Sequence, residues 1–66
     1  MVIKWINRFS RETGYIKTVD YKNKHFNNTF NYTEAKKFNT IESANKCISK
    51  LEEYGEGINN EFEVVD

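Results

Sequence analysis

The sequence predicts an α+β fold: a small antiparallel sheet, in the order β-β-β-α-β, with one amphipathic helix packed on one face. Three observations carry this. The first half is rich in β-branched and aromatic residues interrupted by short polar turns, the composition that strands prefer. Ile41, Ala44, Ile48 and Leu51 then recur at helical spacing. A last short run, "EFEVV", alternates acidic and apolar residues. The length of 66 residues suits one domain, read as 1–66.

Taken in order, residues 2–9 ("VIKWINRF") read as a strand and "SRETG" as the turn after it. Gly14 is expected to supply a positive φ at the end of that turn. Residues 15–21 ("YIKTVDY") return, "KNKH" turns again, and residues 26–32 ("FNNTFNY") alternate in period two as a third strand. "TEAKKF" fits either a helical turn opened by Thr33 or a short extended piece. Asn39 or Thr40 can cap the helix that follows, and Asn39 with Glu42 has the spacing of a capping box. Glu42 and Lys46 form an i,i+4 pair on its outer face. Gly55 is expected to end it in the left-handed region. "EGINN" is a loop before the last strand. Trp5, Phe30, Phe38, Ile48, Leu51 and Phe62 are the expected core.

Size limits what this core can do. A chain this short buries only about 60% of the surface that its unfolded form exposes. Cys47 is the only cysteine and His25 the only histidine, so neither an intramolecular disulfide nor a Cys/His zinc site is available. No metal or other cofactor is expected. Two devices remain, an aromatic core and self-association. Ten of the 66 residues are Phe, Tyr or Trp, each able to bury roughly 150–250 Å². The first strand is also apolar on both sides, whereas one helix covers only one face. Val2, Ile6 and Ile16 are therefore expected to form a homo-oligomer interface on the uncovered face.

Catalytic patterns are missing. His25 stands in a polar "KNKHF" loop with no nucleophile pattern around it, and Cys47 lies beside the apolar stripe of the helix. No glycine-rich loop opens a helix. The chain is expected not to be an enzyme. No run approaches the ~20 apolar residues of a membrane span, so a cytoplasmic protein without membrane contact is expected.

Binding functions remain, and charge suggests where. Residues 1–37 hold eight Lys/Arg and three Asp/Glu, whereas residues 38–66 hold two Lys and seven Asp/Glu, so net charges of +5 and −5 cancel over the chain. Two packed halves that offset one another would give the same pattern. Read as surfaces, the basic hairpin (Arg8, Arg11, Tyr15, Lys17) and the acidic part (Glu52, Glu53, Glu56, Glu61, Glu63) are the candidate partner sites. Basic side chains interleaved with tyrosines suit phosphates and bases, but zero net charge disfavours a nucleic-acid partner. An acidic surface suits a basic groove on another protein.

The stretch "EAKKFNTIESANKCISKLEEYG" carries an A-x-x-F-x-T-x-E-x-A pattern from Ala35 to Ala44. In this the chain resembles small bacteriophage and prophage proteins of AT-rich hosts. That resemblance implies an inhibitor of a host defence protein, of the anti-CRISPR kind, or alternatively a protein that sequesters a signalling nucleotide. The shared pattern describes a helix entry, so it transfers no functional residue.

Overall fold

The computed structural model describes residues 1–66 and shows the α+β fold. Strand β1 (Val2–Asn7) pairs antiparallel with β2 (Thr13–Asp20), Trp5 standing opposite Gly14. Strand β3 (His25–Thr29) adds to β2. After helix α1 (Ile41–Glu53), strand β4 (Asn60–Val65) pairs with the free side of β1, so the spatial order is β3-β2-β1-β4.

Local chemistry sets the turns. At the first, the Asn7 carboxamide oxygen accepts from the Phe9 and Ser10 N–H groups, and Arg11 takes the positive φ of 64°. Gly14 does not: Gly55, at 90°, is the one glycine with positive φ. The requirement at Gly14 is space. A Cβ there would stand 2.6 Å from Trp5 Cζ2 and 2.8 Å from Cε2, so the indole lies directly on the glycine. At the second turn, Asp20 Oδ1 accepts from the Lys22 and Asn23 N–H groups, and Oδ2 from the Asn23 carboxamide.

These bonds favour the ionised carboxylate. The Asn23 backbone N–H contributes most, followed by its side chain, and together they hold Asp20 below the ordinary value of 3.8. A carboxyl whose pKa is depressed on folding stabilises the native state above its unfolded pKa. That contribution is lost as pH falls through the lower native value. Asp20→Asn should therefore lower the melting temperature near neutral pH, with the difference from the unsubstituted protein shrinking below pH 3.8. A difference independent of pH in thermal melts would contradict the assignment.

Helix α1 begins at Thr40, whose hydroxyl accepts from the Ser43 N–H at 3.1 Å. The cap is thus Thr40 with Ser43, in place of a box between Asn39 and Glu42. Gly55 ends the helix in the left-handed region as expected. The helix covers one face of the sheet, where Ile3, Trp5 and Ile16 meet Ala44, Cys47 and Leu51. Phe38, Ile48 and Phe62 pack at its margin, partly buried. Phe30 does not belong to this core. Strand β3 ends at Thr29, and Phe30 is 68% exposed, its ring inclined to that of Trp5 with centroids 6.0 Å apart.

A β-bulge explains a second departure. Strict alternation puts Val19 on the face opposite Ile16. The register instead passes from Ile16–Asn28 to Thr18–Asn27, leaving Lys17 as an extra residue in β2. Ile16 and Val19 consequently share the helix side.

The other face is not open. Pairing of β1 with β2 ends at Lys4–Tyr15. Beyond it, the carbonyls of Ile16 and Met1 accept from the Lys36 and Phe38 N–H groups, both at 2.8 Å. These bonds tie residues 31–38 to the sheet as a strap. Its start is a 3₁₀ turn at Tyr32–Glu34, capped by Asn31, and the chain is extended at Ala35. Tyr32 stands edge-on to Tyr15 at 5.4 Å, and Glu34 meets Lys17 at 3.6 Å and the Thr29 hydroxyl at 3.3 Å. Val2 and Ala35 are buried as a result. The expected interface of Val2, Ile6 and Ile16 is therefore corrected. Val2 and Ile16 are fully buried within one chain, Ile16 under the helix, and only Ile6 keeps partial exposure.

Candidate functional site

The two charged surfaces read from the sequence are not two surfaces. In the basic set, Arg8 and Arg11 stand at the β1–β2 turn, whereas Tyr15 and Lys17 are occupied by the strap. Lys22 and Lys24 lie in the β2–β3 turn, at the opposite end of the sheet. The acidic set divides further. Glu52 and Glu53 are exposed on the helix, where Glu53 pairs with Lys50 at 3.5 Å. Glu61 and Glu63 alternate with the inward Phe62 and Val64 along β4, an edge strand that charge protects from unwanted pairing. The sets even touch: Arg8 donates from Nε to the Gly57 carbonyl at 3.1 Å and meets Glu61 at 3.3 Å.

One end of the sheet gathers features of another kind. The close of β1, the opening of β2, the close of β3 and the opening of β4 all lie there, because every pairing is antiparallel. The Arg8 N–H donates to the Asn59 carbonyl at 2.8 Å and binds the β1–β2 turn to the loop before β4. On the helix side of this end is the one cavity of the fold, about 230 Å³, lined by Trp5, Asn7, Phe26, Asn28, Glu56 and Asn60. Of these, only Glu56 was a sequence-predicted site residue.

Each lining group has a structural reason for its place. Trp5, Asn7 and Asn60 follow from the β1–β4 register, in which Trp5 faces Phe62 and Asn7 faces Asn60. Phe26 packs edge-on to Phe62 at 5.9 Å. Gly55, with positive φ, turns the chain into a 3₁₀ turn at Glu56–Ile58, and this brings Glu56 over the sheet. Asn60 is nine-tenths buried, and its carboxamide N–H donates to the Glu56 carbonyl at 3.1 Å. Its own carboxamide oxygen has no partner in the chain. Trp5 Nε1 is the one side-chain polar atom buried without a hydrogen-bond partner. Buried polar groups in folded proteins rarely stay unpaired.

Three large apolar side chains stand exposed at this same end. Phe9 (77% exposed), Phe30 (68%) and Ile58 (74%) each lie two residues from a lining residue: Asn7, Asn28 and both Glu56 and Asn60 respectively. Sequence reading placed Phe9 and Phe30 in strands and Ile58 in a featureless loop. A signal was nevertheless present, since a Phe next to a turn has no strand neighbour to cover it.

The remaining reactive side chains are placed elsewhere. His25 faces Asp20 at 3.6 Å across the exposed second turn. Cys47 is buried under the helix, where burial pushes its thiol up from the ordinary 9.0, with Lys36 and a neighbouring Tyr21 hydroxyl pulling the other way. No three metal-ligating side chains converge, and no helix is long and apolar enough to cross a membrane. No protein-family model matches the chain, and neither a curated protein nor a solved structure is significantly similar to it.

Proposed function

We propose that the chain is a non-catalytic binding protein that inhibits a protein target, and that it docks through the hairpin end of its sheet. The observation that supports this most is the exposure of Phe9, Phe30 and Ile58 at the end of the sheet that holds the cavity, each two residues from a lining residue. Exposed apolar side chains standing singly are ordinary. Three of them at one end of a small sheet suit interface anchors, of which a few carry most of the binding energy. The buried thiol and the exposed His25–Asp20 pair offer no nucleophile–base arrangement, which accords with a binding role. Joined to the resemblance with small phage proteins, this reading makes the target a host defence protein met in the host cytoplasm. Sequestration of a signalling nucleotide is the alternative. It would use the same cavity, but Glu56 sets a negative charge where phosphates would approach.

Affinity capture from bacterial lysate, with proteins and small molecules both identified by mass spectrometry, tests the proposal. The protein should retain one stoichiometric bacterial protein. Phe9→Ser with Ile58→Ser should lower that retention at least about tenfold, because exposed anchor residues carry more than 1 kcal/mol each. Their exposure keeps the fold intact. Equal retention by the double variant, or a retained cyclic nucleotide in place of a protein, would overturn the proposal.

A further inference from the structure

The two edges of the sheet are unequal. Strand β4 carries Glu61 and Glu63 exposed along its length, and such charges keep an edge from pairing with other chains. Strand β3 is the other edge and has no such device. From Phe26 to Phe30 it holds no charged residue, proline or glycine, and the bulge of this hairpin lies in β2. No backbone hydrogen bond formed outside the strand ladders involves residues 25–29, so the outer backbone groups of β3 have no partner in the chain.

The side chains of this edge read alike in both directions. Phe26, Asn28 and Phe30 stand on the helix side: Phe26 and Asn28 line the cavity with Trp5, and the Phe30 ring lies 6.0 Å from the indole. Asn27 and Thr29 stand on the strap side, where Asn27 donates to Thr18 and Thr29 to Glu34. The run Phe-Asn-Asn-Thr-Phe is thus apolar at both ends and polar between, with Asn28 at its centre. We infer that β3 pairs antiparallel with β3 of a second copy of this chain, about a two-fold axis at Asn28, to make one continuous eight-stranded sheet.

Residues directly opposite in antiparallel strands share a face, with Cβ atoms about 4.5–5.5 Å apart. In this register each Phe30 meets the Phe26 of the other copy, Asn28 meets Asn28, and Asn27 meets Thr29. Aromatic cross-strand pairs stabilise a sheet, and two carboxamides can exchange hydrogen bonds. Centring the axis on Asn27 or Thr29 would instead set a phenylalanine against Asn28. The match is with the strand itself, which selects a second copy over a strand of another protein, and zero net charge lets two copies meet without net repulsion. The inference goes beyond the protein-binding reading and does not depend on it. Phe9 and Ile58 stay outside the pairing, and only Phe30 is common to both surfaces.

Sedimentation of the intact protein over a range of concentrations tests the pairing. The expected result is a reversible dimer with a Kd on the order of 10–100 µM, as suits a short strand contact of small area. Asn28→Lys and Asn28→Glu, at an exposed position, each set like charges across the axis and should weaken self-association at least about tenfold. Mixed in equal amounts, these two variants should pair with one another at least as tightly as the unsubstituted chain pairs with itself. Phe30→Ser, which removes two aromatic pairs per dimer, should also weaken association about tenfold. Thermal melts of the dilute variants show that the monomer fold is retained. A protein that stays monomeric well above the expected Kd, a dimer unweakened by either charged variant, or a mixture that fails to pair would each overturn the inference. A monomer whose β3 amides gain protection only in complex with a captured protein would give the edge to that protein and overturn it as well.

Discussion

Leu51→Ala should destabilise the protein by about 2–5 kcal/mol, the cost of opening a cavity in a packed interior. The cost is large here because the interior is small. Only 11 of the 66 residues are buried, and Leu51 is among the four largest side chains with no exposure. It closes the helix against Ile3, Trp5 and Ile16, so truncation weakens the only contact layer between helix and sheet. A domain of this length has roughly 3–10 kcal/mol of total stability. The variant should therefore melt at much lower denaturant concentration, or be unfolded at room temperature. Phe30→Ala is the control. Its ring is mostly exposed, so it should cost less than about 1 kcal/mol. Equal losses for the two variants in urea melts would show that the core is drawn in the wrong place.

Gly14→Ala should cost about 1–3 kcal/mol, although alanine normally favours a strand over glycine. The added methyl would need to occupy a point 2.6 Å from Trp5 Cζ2 and 2.9 Å from Nε1. The indole is a rigid ring, 8% exposed and packed in the core cluster under the helix, so it has little room to yield. Reduced entropy of the unfolded chain returns only about 0.4–1 kcal/mol. A second effect follows from the same geometry. Tilting Trp5 off the sheet exposes the indole, so the variant should show red-shifted tryptophan emission. Unchanged stability with unchanged emission would mean that Trp5 does not lie across Gly14.

These two residues also show what the sequence could reveal. Leu51 was legible because helical periodicity is local: Ile41, Ala44, Ile48 and Leu51 announce a face, and Thr40 and Gly55 mark its ends within a few residues. Gly14 was legible only as a turn residue, since nothing nearby in the chain says that a tryptophan nine positions earlier will lie on it. The same limit hid the bulge at Lys17. One extra residue reverses the inward parity of everything after it, and only the pairing partner reveals it.

The strap was the larger omission. "TEAKKF" reads ambiguously because its stabilising bonds are long-range, running to Ile16 and Met1. Without it, the second sheet face looked uncovered, and Val2 and Ile16 looked available to another copy of the chain. The cavity was hidden for a compositional reason. Asn7, Asn28 and Asn60 are unremarkable in an asparagine-rich sequence, and only pairing places them at one end of the sheet. Asn60 could have been noticed as a polar residue beginning an alternating strand with its inward parity, two places before Phe62. Buried asparagine is uncommon enough to justify asking what it serves.

The central claim is that the hairpin end is the surface that meets a partner. Amide hydrogen exchange on the captured complex, compared with the free protein, tests it most directly. Protection should rise at Phe9–Thr13, around Phe30 and across Glu56–Asn60. The Tyr21–Lys24 turn at the opposite end and the outer face of the helix at Glu42, Lys46 and Glu53 should exchange as in the free protein. Protection confined to that helix face or to the opposite turn, with the hairpin end unchanged, would contradict the account.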